Sequence, residues 1–151
     1  MHTQVRRFIK TAIGFLAIGL VIGTWLLVRR ELFGIHPTSY ESSAHVHALT
    51  VGFVLNMILG VALWLFPRPD KADTRYSPRI VSVSYVMLTV ATAGRVAAEL
   101  LRPHADAAVL RWAVVVFGVA QTSAVLLFFY TMWSRIRPLG SKMREAAGER
   151  F

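Results

Sequence analysis

Four side chains of this 151-residue chain stand out for the chemistry they could do: His36, His45, His47 and His104. Neutral imidazole is a common ligand for haem iron, copper and zinc. The pair His45-Val46-His47 is the densest of these features, and helix entry points are more often occupied by Ser, Thr, Asp or Asn than by histidine. Arg95 and Glu99, four residues apart, add a cation and a carboxylate to an otherwise apolar stretch. They can pair with each other; alternatively, Arg95 can meet an anionic group such as a propionate while Glu99 passes protons. The chain has no cysteine, which excludes disulfides, thiolate metal sites and covalent c-type haem.

The elements that must position these residues are apolar runs. Thr11–Val28 is uncharged, and its 18 residues cross most of a bilayer core of about 30 Å. His45–Phe66, Ile80–Leu101 and Val109–Trp133 are three more runs, with Pro67, Pro78, Pro103 and Pro138 at or near their ends. The expected fold is all-α: one transmembrane domain over residues 1–151, an integral membrane four-helix bundle. Its spans fall at about 8–29, 45–66, 80–101 and 109–133, followed by a tail over 134–151. The first run is longer than the apolar part of a signal peptide, so it is expected to be retained as a span.

The net charge of +9 and pI near 11.1 would suit a nucleic-acid binder, but 55% hydrophobic residues and a mean hydropathy of +0.51 argue against one. Four spans put 12 of the 17 basic residues and 4 acidic ones on one side, a balance of +8, and leave +1 on the other. The positive-inside rule then places both termini in the cytoplasm, N-in and C-in, in the inner membrane of a prokaryote. The basic side meets anionic lipid headgroups, and His36, His45, His47 and His104 gather at the outer face. His2 falls at the opposite end.

Helical phase at 100° per residue separates the histidine pair by about 200°, so the two cannot face one pocket in a regular helix. His45 shares a side with Gly52, Asn56 and Gly60, small and polar enough for a bundle interior or a flat macrocycle. His47 shares the opposite side with branched apolar residues and is expected toward lipid or a partner. On the third run Ser82, Tyr85, Thr89, Thr92, Val96 and Glu99 form a matching stripe. Gln121 on the fourth is expected to make an inter-helix hydrogen bond. Gly19 and Gly23, a small-xxx-small pair, allow a close crossing within the bundle or in a homodimer.

The stretch from His45 through Phe53, continuing past Gly60 to Leu65-Phe66-Pro67-Arg68, resembles the haem-binding second helix of heme-copper oxidase and nitric oxide reductase catalytic subunits. His47-Ala48-Leu49-Thr50-Val51-Gly52, followed later by Gly94-Arg95-Val96, is similar to the NnrS family of membrane haem proteins associated with nitric oxide stress. The resemblance implies a b-type haem ligated by His45 or His47, with Arg95 at the propionates and with Gly52 and Asn56 lining the pocket. Electron transfer, or binding of nitric oxide or oxygen, would follow. Both families have about twelve spans, and this chain has no ligand set for a dinuclear oxygen-reducing centre. A non-catalytic subunit or assembly factor of a respiratory complex is the alternative, and a copper or zinc site of His36, His45 and His104 is a third.

Overall fold

The computed structural model describes residues 3–67, 69, 73–137, 140, 143–144 and 147–148. His2 and the basic residues Arg68, Lys71, Lys142 and Arg150 lie outside them. The described residues form four long helices: α1 (Thr3–Phe33), α2 (Ser39–Leu65), α3 (Pro78–Leu101) and α4 (Ala108–Met132), the last prolonged by a 3-10 turn over Trp133–Arg135. All four are long and apolar enough to cross a membrane. An even number of passes brings the start of α1 and the end of α4 to the same end, the basic end. The α1–α2 and α3–α4 connections lie at the other, the histidine end.

The buried residues of α1 are Val5, Phe8, Ala12, Phe15, Gly19, Ile22 and Leu26, spaced alternately by three and four. That is the spacing of a heptad seam, which keeps one stripe of α1 against its neighbours. At the basic end all four helices meet around Phe8, Leu59, Leu88 and Phe128. Phe8 packs edge-on to Tyr85 and Phe128, with ring centroids 5.0 and 5.7 Å away. At the histidine end a smaller core of Ile22, Leu26, Ala44, Ala48 and Val96 joins α1, α2 and α3. α4 is the least buried helix.

α2 begins six residues before the expected boundary. Thr38 and Glu41 form a reciprocal capping box: the Glu41 amide donates to Thr38 Oγ1 (3.2 Å), and the Thr38 amide donates to Glu41 Oε2 (2.8 Å). Such a Thr-x-x-Glu pattern is a readable start signal. The Glu41 carboxylate, 1% exposed, also receives Arg29 of α1. The histidine pair therefore sits inside the helix, past its first turn, and is no entry point. Thr38→Ala is expected to cost about 1 kcal/mol. It should lower the thermal midpoint in detergent by about 2–4 °C; an unchanged midpoint would refute this role for the cap.

Within α2, Ala48–Leu55 is π-helical. In an α-helix each step of four residues drifts by about 40°. The wider π turn reverses that drift, so Ala44, Ala48, Gly52 and Asn56 all stay on the buried side. The backbone acceptors that this winding disturbs are served by side chains. Asn56 Nδ2 donates to the carbonyls of Val51 and Gly52 (both 3.1 Å), and Thr50 Oγ1 donates to that of Val46 (2.7 Å). π segments in α-helices frequently mark functional sites.

Candidate functional site

The buried line of α2 runs through Ala44 and Ala48, which puts His45 and His47 on its two flanks, both half-buried. His45 turns to α1 and His47 to α3. The expectation that His47 faces away from the bundle is thus corrected: the π winding and the early helix start rotate the buried line away from His45. The two imidazoles do remain on different sides.

On the α1 flank, His45 Nδ1 lies 3.0 Å from the Gly19 carbonyl. A carbonyl only accepts, so Nδ1 carries the proton, and in the neutral ring Nε2 keeps its lone pair. A Cβ at Gly23 would come within 2.5 Å of His45 Cε1, and one at Gly19 within 2.4 Å of Leu49 Cδ2. The small-xxx-small pair of α1 therefore serves the crossing with α2 inside the bundle. His45 lines a cleft of about 220 Å³ together with Gly23, Leu26, Leu27, Arg30 and Pro37.

On the α3 flank, His47 Nδ1 donates to the Ser43 carbonyl (2.8 Å), which again leaves Nε2 free of that bond. Glu99 is 2% exposed. Its Oε1 accepts from Ser43 Oγ (2.9 Å) and Arg95 Nε (3.0 Å). Its Oε2 lies 3.3 Å from His47 Nδ1 but receives no well-formed hydrogen bond, because that proton points to the Ser43 carbonyl. Arg95 Nη1 donates to Gln121 Oε1 (3.1 Å), and Gln121 Nε2 donates to Thr92 Oγ1 (3.0 Å). One polar chain thus ties α2, α3 and α4 together inside an apolar bundle. Such a network holds a carboxylate beside an imidazole where water is scarce.

The remaining expected residues are placed elsewhere. Arg95 spends its guanidinium on Glu99 and Gln121 and does not line the His45 cleft; the cation there is Arg30. The space over Gly52 is filled by the Phe15 ring, and the Asn56 amide serves the π segment, so neither lines that cleft. His36 is exposed in the α1–α2 connection, and His104 is exposed in the turn after α3. Among the described residues no three His, Cys, Asp or Glu side chains are placed to hold a metal ion together, so the set His36, His45 and His104 is not gathered. Beside His104, Arg111 (2.6 Å) and Arg102 (2.8 Å) clamp Asp106, and these bonds hold its carboxyl below the usual carboxylate range.

Sequence reasoning passed over Arg30, Ser43 and Glu41. Glu41 had the capping pattern as its signal, and Arg30 lies two turns beyond Gly23 on the same side of α1. Ser43, four residues before His47, had none.

The fold and the site define an all-helical protein with four helices long and apolar enough to span a membrane, carrying a His-x-His motif beside a buried glutamate paired with a half-buried arginine. The chain belongs to the family described as a domain of unknown function (DUF8744), whose profile matches residues 3–137. No curated protein and no solved structure matches it.

Proposed function

We propose that this chain is a multi-pass protein of a prokaryotic cytoplasmic membrane, both termini cytoplasmic, that binds one b-type haem through His45 Nε2 near the outer face. The observation that carries this is the bond from His45 Nδ1 to the Gly19 carbonyl. Histidine ligands of metals almost always donate their other ring N–H to such an acceptor, which fixes the tautomer and aims the free nitrogen. The cleft suits a macrocycle edge: Leu26 and Leu27 are apolar, and Arg30, which pairs with Glu31 (2.6 Å) at the exposed end of α1, can turn to a propionate.

At about 220 Å³ the cleft lies below the 300–1,000 Å³ usual for enclosed ligands, so lipid or another subunit would cover the rest of the group. Bound haem supplies one-electron chemistry and, with an open coordination position, affinity for a diatomic gas. The His47–Glu99 pair would keep a proton-exchanging group on the other flank of the same helix. The alternative role is a subunit of a larger respiratory complex, in which a partner in place of lipid would cover α4, the least buried helix.

The test is the visible spectrum, oxidised and reduced, of protein purified after haem-supplemented expression. A Soret band is expected in the wild type and in His47→Ala, and at least tenfold less of it in His45→Ala. No band, or a band unchanged in His45→Ala, refutes ligation by His45. A stable colourless monomer counts against the subunit role as well.

A further inference from the structure

At the basic end, a cavity of about 530 Å³ opens between the start of α1, the end of α2, the start of α3 and the end of α4. Arg135 lines it and is only 6% exposed. Its Nε donates to the Pro67 carbonyl (2.8 Å), and its Nη2 donates to those of Leu63 (3.2 Å) and Phe66 (3.0 Å). The guanidinium thereby caps the C-terminus of α2 and lies 4.9 Å from the Tyr76 ring centre. Its Nη1 has the Met132 sulfur as a weak acceptor at 3.3 Å. Among the described residues, one of its five N–H groups has no acceptor.

The carbonyls satisfy hydrogen bonds without neutralising the charge. The C-terminus of α2 supplies about half a negative charge, while α1 and α3, which open at Thr3 and Pro78 on the cavity wall, each supply about half a positive one. Neither helix carries an acidic residue in its first turn, where one would offset that field. Among the described residues no carboxylate pairs with Arg135. Asp73 of the neighbouring loop is hydrogen-bonded to Ser134 Oγ and to the Arg75 amide (3.0 Å) and reaches Arg135 only through space, as a partial counter-charge. Among the described residues, one buried cation and two helix N-termini stand against Asp73 and one helix C-terminus, a positive balance on a wall that also holds Thr3 and Tyr76.

We propose that this cavity binds a phosphate-class anion, either the phosphodiester headgroup of an anionic membrane lipid or free phosphate, between Arg135 and the first turns of α1 and α3. Basic pockets between transmembrane helices are suited to such headgroups. The proposal is independent of haem binding at the other end of the bundle.

The full chain, purified in a phosphate-free detergent, is followed by thermal unfolding with added phosphatidylglycerol, phosphatidylcholine or inorganic phosphate. Saturating phosphatidylglycerol is expected to raise the midpoint by about 5–10 °C. A rise with phosphatidylglycerol but not with inorganic phosphate identifies the lipid headgroup, and equal rises with both identify a free-anion site. Arg135→Gln should abolish the rise, but it also uncaps α2. Thr3→Asp is therefore the sharper variant. It installs a carboxylate in the first turn of α1, where it helps the helix, keeps Arg135, and occupies the site electrostatically. Its midpoint without additive should equal or exceed that of the wild type, and the phosphatidylglycerol rise should fall at least threefold. No rise with either anion overturns the proposal. So does an equal rise with phosphatidylcholine, or a rise undiminished in Thr3→Asp.

Discussion

Glu99→Ala is expected to destabilise the protein by about 3 kcal/mol, seen as a fall of about 6–12 °C in the thermal midpoint in detergent. The carboxylate receives Arg95 Nε and Ser43 Oγ and lies beside His47, so its removal strands the Arg95 cation and the Ser43 hydroxyl inside an apolar bundle. Breaking one partner of a buried ion pair commonly costs about 3–5 kcal/mol. The lower end applies because the Arg95 side chain is 24% exposed and can swing toward the interface. Glu99→Gln keeps an acceptor for Arg95 and Ser43 and should lose less than half as much. Removing both charges, in Glu99→Leu/Arg95→Met, should recover most of the loss, since apolar replacement of a buried pair is often neutral. A midpoint within 2 °C of wild type in Glu99→Ala would show that the network contributes little to stability.

Gly52→Leu should cost about 3 kcal/mol, at the upper end for overpacking. A Cβ at Gly52 would stand 2.5 Å from Phe15 Cγ and 2.7 Å from Phe15 Cβ, and Phe15 is 4% exposed with nowhere to retreat. α1 and α2 would have to part at the π segment, and the His45–Gly19 bond would lengthen with them. Adding Phe15→Ala restores the total volume, so the double variant should be more stable than the sum of the single losses predicts. Strict additivity would mean that the two residues do not share this contact.

Much of the architecture was legible because it follows from local composition. A run such as Thr11–Val28 can leave water only as a helix, since hydrocarbon offers its backbone no other partner. The buried face of α1 was not legible in the same way: Ile13, Leu20 and Val21 are as apolar as the buried Phe15, Ile22 and Leu26, yet they are exposed. The Arg95–Glu99 pairing follows from a spacing of four on any helix, and Gln121 does bond between helices. The start of α2 was readable in Thr38 and Glu41 and was set six residues late only because the apolar run begins at His45.

The contacts of the site itself were not legible. At 100° per residue His45 falls on the inner side of α2 and His47 opposite. The observed buried line instead passes through Ala44, Ala48, Gly52 and Asn56, and the histidines reach Gly19 and Glu99 on its two flanks. The capping of α2 by Arg135, 72 residues from Leu63, has no local signature either.

The sequence by itself thus determined the four apolar lengths, their punctuation, the excess of basic residues and the presence of a histidine pair and of an Arg–Glu pair within the apolar runs. Only the tertiary structure decided which helix each histidine addresses. That choice depends on the rotation of α2 about its own axis. The rotation is set by Gly52 against Phe15, by Gly19 and Gly23 against Leu49 and His45, and by the π turn between them. These energies come into existence when the helices touch, so no periodicity within one helix can encode them.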